Sequence, residues 1–295
     1  MELCLGTVQF GMDYGILNTK MPPIDNSLKC LDYATQNGVV AIDTAAAYGK
    51  AEDIVGMFLK KRTISRNNLW ISTKFQPNVL DDVDQCNYSN VIRTHLLESL
   101  KKLNTDYVDA YYLHSARYSF DNSILEALYS VKKEGLANKV GVSVYEPEEA
   151  DACFKSKYVD IIQLPYSIFD HRMKKSGIFD RGDRCQIDTR SAFIQGLIIM
   201  DEDNIPTFLA NAKPIIRKID IVCKETGLSR VELAMAYVKR EKTISHLVFG
   251  VDSLEQLKKD INFFDSDVDE ELLKQLEMEF DNIEAEIVMP SLWKK

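Results

Sequence analysis

The sequence has no closely spaced cysteine pair and no local cluster of histidines. Its six cysteines are spread singly along 295 residues, and no C-x-x-C motif occurs. In a chain of this length, single cysteines are typical of reduced and mostly buried thiols, which argues against a disulfide framework. The four histidines, His95, His114, His171 and His246, are equally scattered. We therefore predict no metal site.

Excess basic charge and long apolar segments are also missing. The chain carries 36 Lys and Arg against 45 Asp and Glu, a net charge of -9, and the basic residues form no cluster. This balance argues against a phosphate-binding surface for nucleic acid. No charged-then-apolar leader and no long uncharged apolar run occurs, so we expect a cytoplasmic protein without membrane contact.

No linker divides the chain. The sequence contains no proline- or serine-rich stretch and no low-complexity tract, and 45% of its residues are hydrophobic. A chain of this length and composition can bury one large core. We predict a single domain over residues 1–295, present as a monomer or a small homo-oligomer.

The sequence does contain a regular alternation of strand and helix patterns. Apolar runs rich in β-branched and aromatic residues occur at 3–10, 39–45, 69–75, 107–114, 139–144, 159–166, 189–195 and 245–250. Several are apolar on both faces, as expected for strands that are covered on each side. Helical patterns lie between them, so right-handed crossovers would make the strands parallel.

Local signals mark several of the predicted helices. In 50–61, apolar residues recur at helix spacing and place Met57 on the apolar face. Ser123 and Ser229 each precede a glutamate by three residues, the spacing of a capping box at a helix start. Gly227, just before the second box, suits the end of the preceding helix.

Eight strand–helix units predict an α/β protein with a (β/α)8 TIM barrel. An open doubly wound sheet is the rival architecture, but it usually has a glycine-rich turn after its first strand. Gly6, Gly11 and Gly15 do not have the spacing of that turn.

Polar residues stand at or just after the ends of successive predicted strands. They are Asp43, Tyr48, Lys74, His114, Ser143 and Gln163. Each alone is compatible with ordinary polarity where a strand emerges into water. In a barrel, however, the carboxyl ends of the strands form the active-site mouth, so the set predicts one site.

The combination of an acid, a phenol, an amine and an imidazole suits carbonyl reduction. A phenol has a pKa of about 10 and is a poor acid at neutral pH. A cation such as Lys74 would lower the pKa of Tyr48, and Asp43 would hold that cation in place. His114 would orient the carbonyl or share in the proton transfer, and a nicotinamide would supply the hydride.

These residues resemble the motifs of the aldo-keto reductase family. The matching segments, in the family's order, are GTVQFG (6–11), DTAAAYGKAE (43–52), STKF (72–75), YYLHS (111–115), KVGVSVYEPEE (139–149), IIQLPYS (161–167) and FGVDSLEQLKKDI (249–261). The resemblance spans nearly the whole chain. It implies a catalytic tetrad of Asp43, Tyr48, Lys74 and His114, in which Tyr48 is the general acid in reduction and the base in oxidation. Members of the family usually begin with a hairpin that closes the floor of the barrel. Here the first predicted strand begins almost at once, so this hairpin is expected to be missing, and other side chains or a partner subunit would close the floor.

The resemblance further implies a nicotinamide cofactor. Its expected contacts are Gly6, Thr7, Asp43, Ser143, Gln163, Arg190, Ser191, Gly250, Ser253, Gln256 and Asp260. Ser143 and Gln163 would bind the carboxamide and Ser191 would lie near the pyrophosphate. Arg190 occupies a position where many relatives have an aromatic residue that stacks on the nicotinamide, and a flat guanidinium can do the same.

The cofactor end of the resemblance has departures. Gly250 and Gln256 align where NADP-preferring relatives place basic residues, Asp260 aligns where an asparagine is frequent, and Asp252 adds negative charge. A phosphate dianion prefers Arg or Lys. The family implies NADP, and NAD or use of both remains open.

Two other interpretations stay open at this stage, as does the choice of substrate. One is a nicotinamide-binding regulatory module with little turnover. The other is a barrel in which Lys74 forms a Schiff base, which leaves the spacing of Tyr48 unexplained. Substrate specificity would come from the segments 171–186 and 286–295. Basic residues of the first segment, from Lys174 to Arg184, could attract an anionic substrate or simply be solvated.

Overall fold

Eight parallel strands close into a barrel in their order along the chain. The computed structural model describes residues 1–62, 64–181 and 184–293. The strands are β1 (Glu2–Gly6), β2 (Ala41–Asp43), β3 (Trp70–Phe75), β4 (Val108–Leu113), β5 (Ala137–Ser143), β6 (Ile161–Pro165), β7 (Gln186–Arg190) and β8 (Ile244–Gly250). β1 pairs in parallel with β8, which closes the barrel. The prediction of a (β/α)8 barrel is confirmed.

Helices alternate with these strands. They are α1 (Val8–Gly11), α2 (Ile24–Gln36), α3 (Ala51–Lys61), α4 (Tyr88–Leu103), α5 (Asn122–Lys133), α6 (Pro147–Lys155), α7 (Arg172–Lys175), α8 (Lys213–Thr226), α9 (Arg230–Lys239), α10 (Leu254–Phe264), α11 (Glu270–Glu279) and α12 (Ala285–Val288). Because every crossover returns to the same end of the barrel, all strands end at one mouth.

Two of the predicted strands differ from the structure by more than two residues at an end. The run 3–10 contains the strand only to Gly6, and its second half is the short helix α1. The run 189–195 contains only the end of β7, which begins at Gln186, and the chain then turns through irregular backbone. Apolar residues alone did not separate these strands from the buried turns that follow them.

Side chains from the strands fill the amino end of the barrel. The Trp70 ring lies against that of His246, with 4.9 Å between centroids. Lys139 Nζ lies 5.7 Å from the centroid of Trp70 and donates to Gln186 Oε1 at 2.5 Å. This layer of rings and polar groups lies at the floor of the barrel, where β1 begins at Glu2.

His246 also belongs to a group of hydrogen-bonded polar side chains inside the barrel. Its Nδ1 is 2.9 Å from Asp188 Oδ1, and the Tyr112 hydroxyl donates to Asp188 Oδ2 at 2.9 Å. Asp188, Tyr112 and His246 are all buried. Because each of these buried polar groups has a partner, the interior polar layer is compatible with a stable barrel. We call Trp70, Tyr112, Asp188 and His246 the floor cluster.

The described residues provide no membrane span and no metal site. None of the described helices is both long and apolar enough to cross a bilayer. The described His, Cys, Asp and Glu side chains also include no group of three that could hold a metal ion. Within the same ranges, all six cysteines are free thiols.

Candidate active site

A cavity of about 620 Å³ opens at the carboxyl ends of the strands. Ten of the residues predicted for the site line it: Gly6, Thr7, Asp43, Tyr48, His114, Gln163, Arg190, Ser191, Gly250 and Gln256. Lys74, Ser143, Ser253 and Asp260 lie behind this lining. The residues that the sequence placed at successive strand ends therefore meet at one mouth.

A buried ion pair lies beneath the cavity. Lys74 Nζ is 2.5 Å from Asp43 Oδ2, and the two side chains are 1% and 4% exposed. Lys74 Nζ also donates to the carbonyl oxygen of Thr44 at 3.0 Å. Ser72 Oγ and Gln163 Nε2 each donate to Asp43 Oδ1 at 2.9 Å. Both carboxylate oxygens thus have donors, which offsets the cost of burying the charge.

Tyr48 lies in the loop after β2, above this ion pair. Lys74 Nζ is 5.1 Å from the centroid of the Tyr48 ring. The pKa of the Tyr48 phenol is raised above its ordinary value, first by burial and then by the nearby Asp43 carboxylate, while Arg190 lowers it. We expected Lys74 to lower this pKa, but both hydrogen bonds of its ammonium go to Asp43 and Thr44. Tyr48 is therefore a neutral phenol that retains its proton at neutral pH.

His114 follows β4 and faces Tyr48 across the cavity. The two ring centroids are 5.7 Å apart and the rings are nearly perpendicular. Burial, Lys74 and Arg190 lower the pKa of His114 to about 3. Its Nδ1 atom is buried without a hydrogen-bond partner among the described residues. The imidazole is therefore neutral at neutral pH and can donate a hydrogen bond from one ring nitrogen.

Gln163 presents a free acceptor to the cavity. Because the carboxylate of Asp43 can only accept, the Gln163 side chain must turn its NH₂ group toward it. The Gln163 Oε1 atom is then left buried and without a partner in the described part of the chain. Ser143 pairs with Gln163 in the β5–β6 register, so the two side chains lie on neighbouring strands at the same level of the barrel. A carboxamide, which has both a donor and an acceptor, fits this arrangement.

Arg190 lies at the end of β7 and is held by its neighbours. Its Nη2 donates to the carbonyl oxygen of Val144 at 3.0 Å, and its Nε is 3.4 Å from Ser143 Oγ. The guanidinium lies 4.3 Å from the centroid of Tyr145. The residue therefore presents a flat, cationic face beside Tyr48 and His114, where both pKa values respond to it.

The segment after β7 has an unusual backbone. Ser191, Ile194 and Gln195 all have positive φ angles, of 65°, 48° and 52°. Non-glycine residues rarely adopt this left-handed conformation, and its cost is typically stored at functional sites. The amide of Ile16 donates to the Gln195 carbonyl at 3.3 Å, so the loop after β1 joins this segment across the cavity. We call the segment 190–196 the strap.

The far end of the cavity lies at the start of α10. Ser253 caps this helix by accepting from the Gln256 amide at 3.1 Å. Gln256 Oε1 accepts from the Asp252 amide at 3.0 Å. Asp260, one turn further along, is buried with one carboxylate oxygen unpartnered among the described residues, and burial raises its pKa to about 7. Asp260 therefore lies beneath this end of the cavity and is not part of its lining.

Sequence reasoning missed several residues of the cavity. Gln9, Tyr14 and Tyr145 line it, and Gln9 Oε1 is buried without a partner among the described residues. Reading 3–10 as one strand concealed Gln9. Its position three residues after the end of β1, where cavity loops begin, was the available signal.

The two predicted specificity segments differ in their positions. Pro290 and Ser291 of 286–295 line the cavity, whereas none of the described residues of 171–186 does. Lys174, Lys175 and Arg181 are paired with acidic side chains. The parts of these segments at 182–183 and 294–295 lie outside the described residues.

The structure is a parallel (β/α)8 barrel with a phenol, an imidazole and a buried lysine–aspartate pair at its mouth, groups that can take part in proton transfer. The profile of the Aldo/keto reductase family matches residues 2–278, which identifies the barrel as an oxidoreductase. The chain belongs to the Aldo/keto reductase family.

Relatives of known sequence or structure resemble the chain over most of its length. It is 25% identical to the uncharacterized oxidoreductase YqkF of Bacillus subtilis (strain 168), over 80% of this chain and 81% of that protein. It is 26% identical to the NADH-specific methylglyoxal reductase of Escherichia coli (strain K12), over 84% and 87%. The solved aldo-keto reductase AKR11C1 from Bacillus halodurans matches with a TM-score of 0.76 and 21% identity, over 95% and 91%. This last likeness concerns the fold.

Proposed function

We propose that the chain reduces an aldehyde or ketone to an alcohol with a nicotinamide dinucleotide. One observation carries the proposal: Tyr48 and His114 face the same end of the cavity, directly above the buried pair of Lys74 and Asp43. Membership of the Aldo/keto reductase family supports carbonyl reduction. The similarity to a methylglyoxal reductase supports a small carbonyl compound as substrate.

In the proposed mechanism, Tyr48 donates the proton. A nicotinamide dinucleotide, when bound, would supply the hydride to the carbonyl carbon, which leaves negative charge on the carbonyl oxygen. The neutral His114 donates a hydrogen bond to that oxygen and orients it. Tyr48 then transfers its hydroxyl proton to the oxygen, because an alkoxide is a stronger base than a phenolate. In the direction of oxidation the phenolate takes the proton back.

Lys74 and Asp43 support the proton transfer. We propose that the Lys74 ammonium, 5.1 Å from the Tyr48 ring centroid, acts only as negative charge develops on the phenol, since before that its hydrogen bonds go to Asp43 and Thr44. Asp43 fixes the ammonium through a short ion pair. The pairing disfavours Schiff-base chemistry, since a buried ammonium held by a carboxylate is a poor nucleophile.

The residues around the cavity fit a nicotinamide dinucleotide. We propose that Gln163 Oε1 accepts from the carboxamide NH₂ group while Ser143 donates to its oxygen. Arg190 would face the nicotinamide ring, and Ser191 with Thr7 would lie near the pyrophosphate. Gly6 and Gly250 line the cavity without side chains, and the Gln9 carboxamide lies against Gly250. Ser253, Gln256 and Asp260 would shape the adenosine end of the cofactor site.

We also propose a cytoplasmic location and a monomer or small homo-oligomer. The free and mostly buried thiols are compatible with a reducing compartment. Gel filtration of the purified protein with light scattering would measure the oligomeric state.

Replacement of Tyr48 tests the mechanism. Tyr48→Phe removes the acidic proton and leaves the ring, so turnover of methylglyoxal and other small aldehydes should fall at least about 100-fold. Cofactor affinity, measured by calorimetric titration without substrate, should change less than about threefold. Tyr107→Phe is the matched control, because its hydroxyl only contacts Asn67 at the surface.

Two outcomes would contradict this proposal. If Tyr48→Phe keeps most of its turnover, Tyr48 is not the proton donor. If the wild-type protein binds the dinucleotide but turns over no carbonyl compound, the regulatory-module interpretation replaces the enzymatic one.

A further inference from the structure

Formal charge is unevenly distributed along the cavity. Four charged side chains line it within the described ranges: Asp43, Arg190, Asp201 and Asp252. Asp43 is neutralised by Lys74. Arg190, the cation of this set, lies at the Tyr48 end and donates to Val144. The end at the start of α10 therefore has a carboxylate and no lining cation.

The other groups at this end are hydrogen-bond acceptors without charge. Gln9 Oε1 is buried without a partner among the described residues, and the Gln9 carboxamide lies against the Gly250 backbone. Gln256 contributes a second amide, tied to the backbone of Asp252. A ribose hydroxyl can donate to a carboxylate or an amide oxygen. A phosphate dianion has no proton to donate and is repelled by a carboxylate.

The lysines of α10 do not compensate for the missing cation. Lys258 Nζ lies 5.4 Å from the ring centroid of Tyr33 on α2, on the outer surface of the barrel. Lys259 is close enough to Asp260 to lower the pKa of that carboxyl. Neither lysine lines the cavity. Both therefore act outside the space that a dinucleotide would occupy.

We propose that Asp252 makes this site selective for NADH over NADPH, by accepting a hydrogen bond from the adenosine ribose and repelling a 2′-phosphate. The inference rests on the proposed function, because Tyr48 and His114 place the nicotinamide at the opposite end of the cavity. A carboxylate that recognises a ribose hydroxyl is the physical alternative to an arginine that recognises the 2′-phosphate. The selectivity is a property of binding and does not require turnover.

Calorimetric titration in the absence of substrate tests the proposal. At pH 8 and low salt, NADH should bind the wild-type protein at least about tenfold more tightly than NADPH. In Asp252→Asn, which keeps the side-chain shape and loses the charge, this ratio should fall at least about threefold. Glu255→Gln removes the same charge from the first turn of α10, at a residue that does not line the cavity, and it should leave the ratio unchanged.

Two adenosine nucleotides test whether the preference for NADH arises at the adenosine end of the cofactor. 5′-AMP and adenosine 2′,5′-bisphosphate differ only in the 2′-phosphate, so their affinities should show the same preference and the same response to Asp252→Asn. NADPH binding as tightly as NADH would overturn the inference and leave the proposed function intact. An equal response to Glu255→Gln would also overturn it, since the general field of α10 would then be responsible. If neither dinucleotide binds, the proposed function itself fails.

Discussion

At the scale of single residues, burial determines the protonation states of the site. It keeps the Tyr48 phenol protonated and holds the pKa of His114 at about 3. Both groups are therefore neutral proton or hydrogen-bond donors over the physiological range. The sequence identified which residues meet. It did not give these protonation states, because they depend on how much water and how many charges the fold leaves around each ring.

The ion pair of Lys74 and Asp43 should stabilise the protein only as a pair. Lys74→Met leaves a buried carboxylate without its counter-ion, so we expect a loss of about 3–5 kcal/mol in the free energy of unfolding and loss of turnover. The double variant Lys74→Met/Asp43→Asn removes both charges and should recover much of that stability. Urea unfolding followed by circular dichroism would measure both.

The same unfolding experiment can contradict the ion pair of Lys74 and Asp43. If the single and double variants are equally stable, the Asp43 carboxylate is not held by Lys74.

The direction of the Gln163 amide could not be predicted from the sequence. It is set by Asp43, which lies 120 positions away along the chain.

At the scale of helices and strands, some local sequence signals predicted the structure correctly and others did not. The capping box of Ser229 is present, and Gly227 ends α8 with a φ of 76°. Ser123, however, is not the cap of α5, because Asp121 accepts from the amides of Ser123 and Ile124. A carboxylate two residues earlier competes for the same free amides. Met57 is 44% exposed, since α3 turns its other apolar residues inward.

The buried Asp260 makes the free energy of unfolding depend on pH. Burial raises its pKa to about 7, so the ionised form is unfavourable in the folded protein. The folded state therefore loses stability as the pH rises from about 4 to about 7, and the loss is complete above that. Asp260→Asn should be more stable than the wild type by about 4 kcal/mol at pH 8 and close to it near pH 4.

Urea unfolding at several pH values would measure this difference. Asp267→Asn is the control, because Asp267 is exposed just beyond the same helix and no pH-dependent gain is expected there. A gain for Asp260→Asn that did not vary with pH would show that its cause is packing and not ionisation.

At the scale of the whole molecule, the two ends of the barrel have different tasks. The mouth contains the proposed chemistry, whereas the floor cluster holds the strands together. The alternation of patterns was sufficient to predict the barrel. The arrangement of side chains at its floor was not predictable, because Trp70, Asp188 and His246 are far apart along the chain and have no common motif.

Asp188 should matter for stability and not for cofactor binding. Asp188→Ala leaves the buried Tyr112 hydroxyl and His246 without their acceptor, so we expect a loss of about 2–4 kcal/mol in the free energy of unfolding. Dinucleotide affinity at a temperature where the variant is folded should stay within about twofold. Asp267→Ala, on the surface, should change neither quantity. A large loss of affinity in Asp188→Ala would mean that the two ends are coupled.

The burial of Lys74 has a consequence for proton supply. Lys74 is fully buried, whereas Tyr48 and His114 line the cavity at the mouth of the barrel. In the proposed mechanism each turnover uses the hydroxyl proton of Tyr48, so we expect its replacement to come from water in that cavity, through the opening that admits substrate and releases alcohol. Reprotonation of Tyr48 and release of product would then share one route, and a slowly released product would delay both.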